Sequence, residues 1–166
     1  MTPAEIEAEL ERLHAAGFAW ALACCRRERE DALDVLQTSY LKVLDGRAKF
    51  AGHSSLKTFL FGVIRRTASE ARRRRAFRSL LSAEWGRRRR EEPSSQATAS
   101  EERIRILSAL GKLARRQREV LELVFYMGLT VEEAAEALAI SVGSARVHYD
   151  RGKKRLARQL EAGRRG

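Results

Sequence analysis

Proline, cysteine and histidine are scarce, at two, two and three residues in a chain of 166. Neither Pro3 nor Pro93 interrupts a long helical pattern, so nothing in the composition breaks extended helices. Long apolar runs are also lacking, and no stretch approaches the ~20 residues that span a bilayer, so membrane insertion is not expected. The N-terminal stretch Met1–Glu7 is acidic and has no charged segment followed by an apolar one. No secretory signal is expected, and the expected location is the cytoplasm. Cys24 and Cys25 are neighbours whose side chains diverge on a helix, so they read as an inert pair rather than a disulfide. His14, His53 and His148 are scattered, which excludes familiar zinc spacings, and no metal or other cofactor is expected. A nucleophile–base pair and a phosphate-binding glycine loop are both missing, so the sequence does not read as an enzyme.

What remains is rich in helix formers and in positive charge. Apolar residues make up 44% and charged residues 33%, the profile of a folded protein. Ala, Leu, Arg and Glu dominate, all good helix formers, and no strand-like alternation or internal repeat is present. The net charge is +11, which suggests a polyanionic partner. Its distribution is uneven. Residues 1–50 carry seven Lys/Arg against nine Asp/Glu, residues 65–90 carry eleven arginines against Glu70 and Glu84, and residues 141–166 carry eight Lys/Arg against Asp150 and Glu161.

Local signals place the helices. Thr2, Pro3 and Glu5 open a first helix whose apolar positions Ile6, Leu10, Leu13, Gly17, Trp20 and Cys24 recur at helical spacing. A polar break over Arg26–Glu30 precedes a second helix, about Asp31–Asp45. There Leu33, Leu36, Tyr40 and Leu44 form the expected buried stripe, with Asp34, Thr38 and Lys42 on another face. Gly46 and Gly52 bracket a loop, and Ser54 or Ser55 caps a third helix, about Leu56–Leu81. The small, polar, proline-bearing stretch Glu91–Ser100 reads as a flexible linker. Beyond it four helices are expected: Glu101–Leu113, Arg116–Met127, Val131–Ala139 and about Val142–Glu161. The expected fold is therefore all-α, two small helical domains over 1–90 and 102–163 joined by a flexible linker at 91–101.

The last two helices carry the binding signal. Thr130 and Glu133 form a capping box after the stop at Gly128, and Ser141 is available to cap the next helix. A short helix, a tight turn and a long basic helix make a helix-turn-helix, a unit that binds duplex DNA. Ala145, Tyr149, Gly152 and Leu156 fall on the core side. Ser144, Arg146, Val147, Asp150 and Arg151 lie on the side that would enter a major groove, with Arg146 and Arg151 suited to guanine. Lys153, Lys154, Arg155 and Arg158 follow, and suit phosphates.

Two segments together resemble a known family. Asp31-Ala32-Leu33-Asp34-Val35-Leu36-Gln37-Thr38-Ser39-Tyr40, followed by Phe50-Ala51-Gly52-His53-Ser54-Ser55-Leu56-Lys57-Thr58-Phe59-Leu60, is similar to region two of bacterial sigma factors. Leu110–Leu156, including Gln117-Arg118-Glu119-Val120 and Ser141-Val142-Gly143-Ser144-Ala145-Arg146, is similar to region four. With a short linker and nothing between, the layout resembles that of the extracytoplasmic-function (ECF) group. The resemblance implies an alternative sigma factor that binds core RNA polymerase and directs it to specific promoters.

It also implies site residues. Region two would dock on the clamp helices of the largest polymerase subunit through Asp31, Asp34, Gln37 and Thr38, and would help melt the −10 element. The non-template strand would lie along Phe50, His53, Ser54, Lys57, Phe59, Arg65 and Arg66. Aromatic stacking and cationic tracking are what unpaired bases need, and Phe61 is a further candidate, although core packing competes for each aromatic. Region four would sit on the flap of the second large subunit and read the −35 element through Ser144, Arg146, Val147, Asp150, Arg151 and Lys154. An anti-sigma factor is a further partner type that the resemblance admits.

The sequence departs from the family pattern in places. Leu33 stands where an acidic residue is usual, Thr38 where glutamate is usual, Phe59 where tryptophan is usual and Arg66 where asparagine is usual. Thr38 lies one turn after Asp34, and a phosphate there would add about −1.5 to −2 charges, close to what two carboxylates supply. Phosphorylation of Thr38 by a serine/threonine kinase is the switch this suggests; a tolerated polar surface residue is the plain alternative. Two rival functions compete with the sigma reading. A stand-alone helix-turn-helix regulator would bind its sites without core polymerase. A helical adaptor would show no salt-dependent DNA binding.

Overall fold

The computed structural model describes residues 1–82 and 101–163, and the chain divides into two compact units, Met1–Ser94 and Ser95–Gly166. All regular structure among the described residues is helical, in keeping with the all-α expectation. The expected linker, 91–101, lies outside the described residues except for Glu101, which opens a helix.

The first unit begins at α1, Pro3–Arg12. Glu5 N–H donates to Thr2 Oγ1 at 3.2 Å, and Thr2 N–H donates to the Glu5 carboxylate at 2.7 Å, so both ends of the capping box are closed. The single helix expected from Thr2 to Cys24 is in fact two, interrupted at Leu13, where φ is −84° and ψ is 0°. The two segments answer to different neighbours. α1 packs on α3 (Arg29–Leu44), while α2 (His14–Cys24) packs on both α3 and α4 (Leu56–Ser82). Gly17 permits this close approach, since a Cβ there would lie 3.2 Å from Leu36 Cδ1. After α2 the chain turns through two left-handed arginines, Arg26 and Arg27, with φ of 54° and 67°.

The core of this unit is built from large side chains. Trp20, Leu60, Phe61 and Ile64 are completely buried, each contributing roughly 1.5–3 kcal/mol of apolar burial. The indole N–H of Trp20 donates to the Phe61 carbonyl at 3.0 Å, so its one polar atom is satisfied. The expected stripe on α3 is corrected. Leu33 and Leu44 are 44% and 52% exposed, and the buried face is Ala32, Val35, Leu36, Ser39 and Val43. The buried Ser39 hydroxyl on that face donates back to the Val35 carbonyl at 2.7 Å. At α4 the cap is Ser55, whose Oγ accepts from Thr58 N–H at 3.1 Å.

The second unit holds α5 (Glu101–Gly111), α6 (Arg115–Leu121), α7 (Val131–Leu138) and α8 (Val142–Ala162). The α-helix expected over Arg116–Met127 is α-helical only to Leu121, and a π-helical turn follows over Glu122–Tyr126. Met127 N–H reaches back five residues to the Glu122 carbonyl at 3.1 Å. Leu110, Leu113 and Leu121 form a core onto which Ile106, Tyr149 and Leu156 pack. Gly152 lets α8 cross α6 closely, because a Cβ there would meet Gln117 Cβ at 3.2 Å and Leu121 Cδ1 at 3.1 Å.

Candidate nucleic-acid interface

The helix-turn-helix is set by three local devices. Thr130 N–H donates to Glu133 Oε2 at 2.8 Å and Glu133 N–H to Thr130 Oγ1 at 3.1 Å, which starts α7. Ala139 ends it in the left-handed region at φ 52°, and Ile140 N–H returns to the Ala135 carbonyl at 3.0 Å. Ser141 Oγ then accepts from Ser144 N–H at 3.1 Å and starts α8. Ala134, Ala135, Leu138 and Ala145 are buried, so the two helices cross on small side chains.

That crossing fixes which face of α8 is outside. Ala145 and Gly152 are buried, and Tyr149 and Leu156 are half-buried. Ser144, Arg146, Val147, Asp150, Arg151 and Lys154 are all exposed, so the structure brings together the six residues expected to read DNA. Two of them already have partners: Ser144 Oγ accepts from the Ser141 hydroxyl at 2.9 Å, and Arg146 Nη2 donates to Glu132 Oε1 on α7 at 2.8 Å. The second contact joins residues fourteen apart, and no periodic signal in the sequence announces it. Lys153 Nζ lies 4.8 Å over the Tyr149 ring, which in turn stacks on Phe125.

In the first unit, Phe50 precedes α4 and Phe59 lies on it; both are half-buried, with ring centroids 5.3 Å apart. His53 and Arg66 are exposed, while Ser54, Lys57 and Arg65 are half-buried. Phe61 drops out as a stacking candidate, because it is fully buried beside Trp20. Lys57 Nζ lies 5.8 Å from the centroid of that same Phe61 ring.

On α3, Asp34 and Gln37 are exposed and Thr38 is half-buried. Asp31 is engaged within the chain by Arg75 of α4. The exposure of Leu33, Leu41 and Leu44 adds an apolar component to this helix that the stripe expectation had placed inside. Cys24 and Cys25 form no disulfide. Burial, followed by the nearby Asp31 charge, pushes the Cys25 thiol up to about 11 and keeps it protonated at neutral pH.

Comparison with known proteins agrees with this architecture. Residues 10–78 match the family described as sigma-70 region 2, and residues 103–156 match sigma-70, region 4. The ECF RNA polymerase sigma factor SigX of Bacillus subtilis is 30% identical over 142 residues, which cover 81% of this chain and 73% of SigX. The ECF sigma factor EcfG of Rhodopseudomonas palustris is 29% identical over 128 residues, covering 76% of this chain and 70% of EcfG. Among solved structures, the sigma factor RpoE of Bartonella quintana, in complex with the anti-sigma factor NepR, superposes with a TM-score of 0.77. It is 23% identical, and the match covers 95% of this chain and 97% of RpoE, which shows a shared fold.

The chain belongs to the sigma-70 family of RNA polymerase sigma factors, in its ECF group. It is an alternative sigma factor, a transcription initiation factor that directs RNA polymerase to promoters. This removes the stand-alone regulator and the adaptor as readings. The family is one of initiation factors rather than enzymes. Among the described residues, no helix is long and apolar enough to cross a membrane.

Proposed function

We propose that this sigma factor divides promoter recognition between its units, with α8 reading the −35 element as duplex and the Phe50–Arg66 region holding the melted −10 strand. The observation that carries the first half is the exposed α8 face, where Arg146, Arg151 and Lys154 stand free of the core while Ala145 and Gly152 seat the helix. Arginine reads guanine bidentately in the major groove. The cations further along α8 neutralise phosphates and supply affinity without sequence. In the −10 region, Phe50 and Phe59 offer adjoining aromatic surface, and His53, Ser54, Lys57, Arg65 and Arg66 supply polar and cationic contacts to single-stranded DNA.

Polymerase binding falls to α3, through Asp31, Asp34, Gln37 and Thr38 on the clamp helices, with the exposed Leu33 and Leu41 adding apolar contact. The second unit takes the flap. With Asp31 already paired with Arg75, Glu30 and Asp34 are the exposed carboxylates this helix offers a partner. Leu33 and Thr38, which stand where the family pattern has acidic residues, support Thr38 as a phosphorylation site for a serine/threonine kinase. An anti-sigma factor is the other partner we propose, by analogy with RpoE, solved in complex with the anti-sigma factor NepR.

Reconstitution with core RNA polymerase tests the whole reading. The protein should shift core polymerase on a native gel and drive run-off transcription from a subset of genomic fragments. Absence of both activities would sink it.

A further inference from the structure

The ion pair between Arg146 and Glu132 joins the two helices of the helix-turn-helix across the turn. Nη2 of Arg146 lies 2.8 Å from Glu132 Oε1, with side chains 65% and 55% exposed. An exposed pair of this kind adds little stability. Capping of α7 does not need it either, since Thr130 and Glu133 already close that end. Glu132 is the second residue of α7 and has the helix N-terminus beside it. Even so, the hydrogen bond from Arg146 is the first cause that holds its carboxyl below the ordinary glutamate range, ahead of its own backbone amide. The carboxylate is therefore ionised at neutral pH and turned toward α8.

A guanidinium has five N–H donors in a fixed plane, and a bidentate contact to guanine uses two. One donor given to Glu132 leaves enough for a base, and it restricts a side chain that otherwise loses considerable rotamer freedom on binding. The same carboxylate lies on a face that approaches a polyanion. It therefore disfavours any complex in which Arg146 finds no base to offset the repulsion of phosphate, which is discrimination by a penalty on wrong sequences.

We propose that Glu132 is a specificity-determining residue of the −35 reader: it positions the Arg146 guanidinium for one base and weakens binding to unrelated DNA. This rests on the reading of α8 as the DNA-contacting helix. It extends that reading to a residue of the preceding helix that carries the wrong charge for DNA.

The test uses the holoenzyme reconstituted with core RNA polymerase. A duplex library randomised over the −35 region is selected with wild type, E132A, E132Q, R146A and the E132A/R146A double variant. Affinity for the best selected duplex and for random duplex is then measured at one salt concentration. R146A should erase preference at one base position. E132A should flatten the preference at that same position about tenfold, while random-duplex affinity rises a few-fold. E132Q, which keeps an acceptor for Arg146 but loses the charge, should retain most of the base preference and still bind random duplex more tightly. The double variant should show no loss of preference beyond R146A.

The thermal midpoint of E132A should match wild type, which separates positioning from folding. If E132A keeps the full preference at the position that R146A loses, the inference is wrong and the −35 reading stands. If R146A leaves every preference intact, the reading of Arg146 falls and this inference falls with it.

Discussion

The largest buried side chains of the first unit are aromatic, Trp20 and Phe61, whereas those of the second are leucines, Leu121, Leu123 and Leu138, and its helix-turn-helix packs on alanines. Around Trp20, Leu60, Phe61 and Ile64, large side chains fill the space between helices. Around Ala134, Ala135, Ala137, Ala145 and Gly152, small residues let the backbones approach closely, which adds dispersion contacts at close packing. The difference reaches function. A helix seated on small residues leaves its long side chains outside, which is how α8 presents Arg146, Arg151 and Lys154 on one face. The large-core unit can turn its surplus leucines outward on α3, where Leu33, Leu41 and Leu44 are each more than two-fifths exposed. One unit thus exposes a basic helix face, and the other a helix face that carries leucines and Asp34.

Opposite substitutions should break the two cores. Trp20→Ala removes a completely buried ring and one buried hydrogen bond, and should cost about 3–5 kcal/mol. Gly152→Leu adds bulk where Gln117 Cβ and Leu121 already crowd the backbone, and should cost about 1–3 kcal/mol or more. Hydrogen exchange resolved by segment is the check. Trp20→Ala should lose protection in α2–α4 alone, and Gly152→Leu in α6–α8 alone. A Gly152→Leu protein with wild-type protection would refute the close-packing account of the second unit.

Next in size come the contacts with DNA. Arg151→Ala should cost about 1–3 kcal/mol on the correct −35 sequence and little on random duplex. Lys154→Ala should weaken both alike and reduce the salt slope by about one. Equal losses on both DNAs for Arg151→Ala would mean that it touches only phosphate.

What the sequence made legible follows a physical division. Caps were legible, because Thr2–Glu5, Thr130–Glu133 and Ser141–Ser144 are contacts between near neighbours. The outer face of α8 was legible for a similar reason, since Ala145 and Gly152 mark the inner face by size alone. Failures came where a distant helix decides. The stripe on α3 was misplaced because Leu33 and Leu44 outweigh Ala32 and Ser39 in any hydrophobic pattern, yet it is the small pair that is completely buried. The break at Leu13 likewise reflects different partners for α1 and α2. No local signal marks the π-helical turn at Glu122–Tyr126. The Glu132–Arg146 pair depends on how two helices cross, which spacing along the chain does not encode.

A smaller effect is expected at α3 itself. Thr38→Glu should bind core polymerase about two- to fivefold tighter than wild type, the scale of one exposed charge pair. Thr38→Ala should not respond to any kinase that activates the wild type. Equal transcription from the alanine and glutamate variants in cells would dispose of the switch.

The smallest expected effect tests how α3 is tied to α4. Lys42 Nζ donates to Glu70 Oε2 at 2.6 Å and to Thr67 Oγ1 at 3.1 Å. The hydrogen bond from Lys42 is the first cause that holds the Glu70 carboxyl below its ordinary value of 4.5. A carboxylate with a depressed folded-state pKa binds fewer protons folded than unfolded. Its contribution is therefore fully present above pH 4.5 and is lost as the pH falls through the lowered value. Glu70 is 42% exposed at its side chain, so solvent screening holds the contribution to about 1 kcal/mol or less. Glu70→Gln should lower the stability of the first unit by that amount at pH 7 and by nothing measurable once the wild-type carboxylate is protonated. Denaturant titrations of both proteins in steps from pH 7 down through the acid range give the comparison. A constant gap between them across that range would show that the amide disturbs packing and that the ion pair contributes nothing.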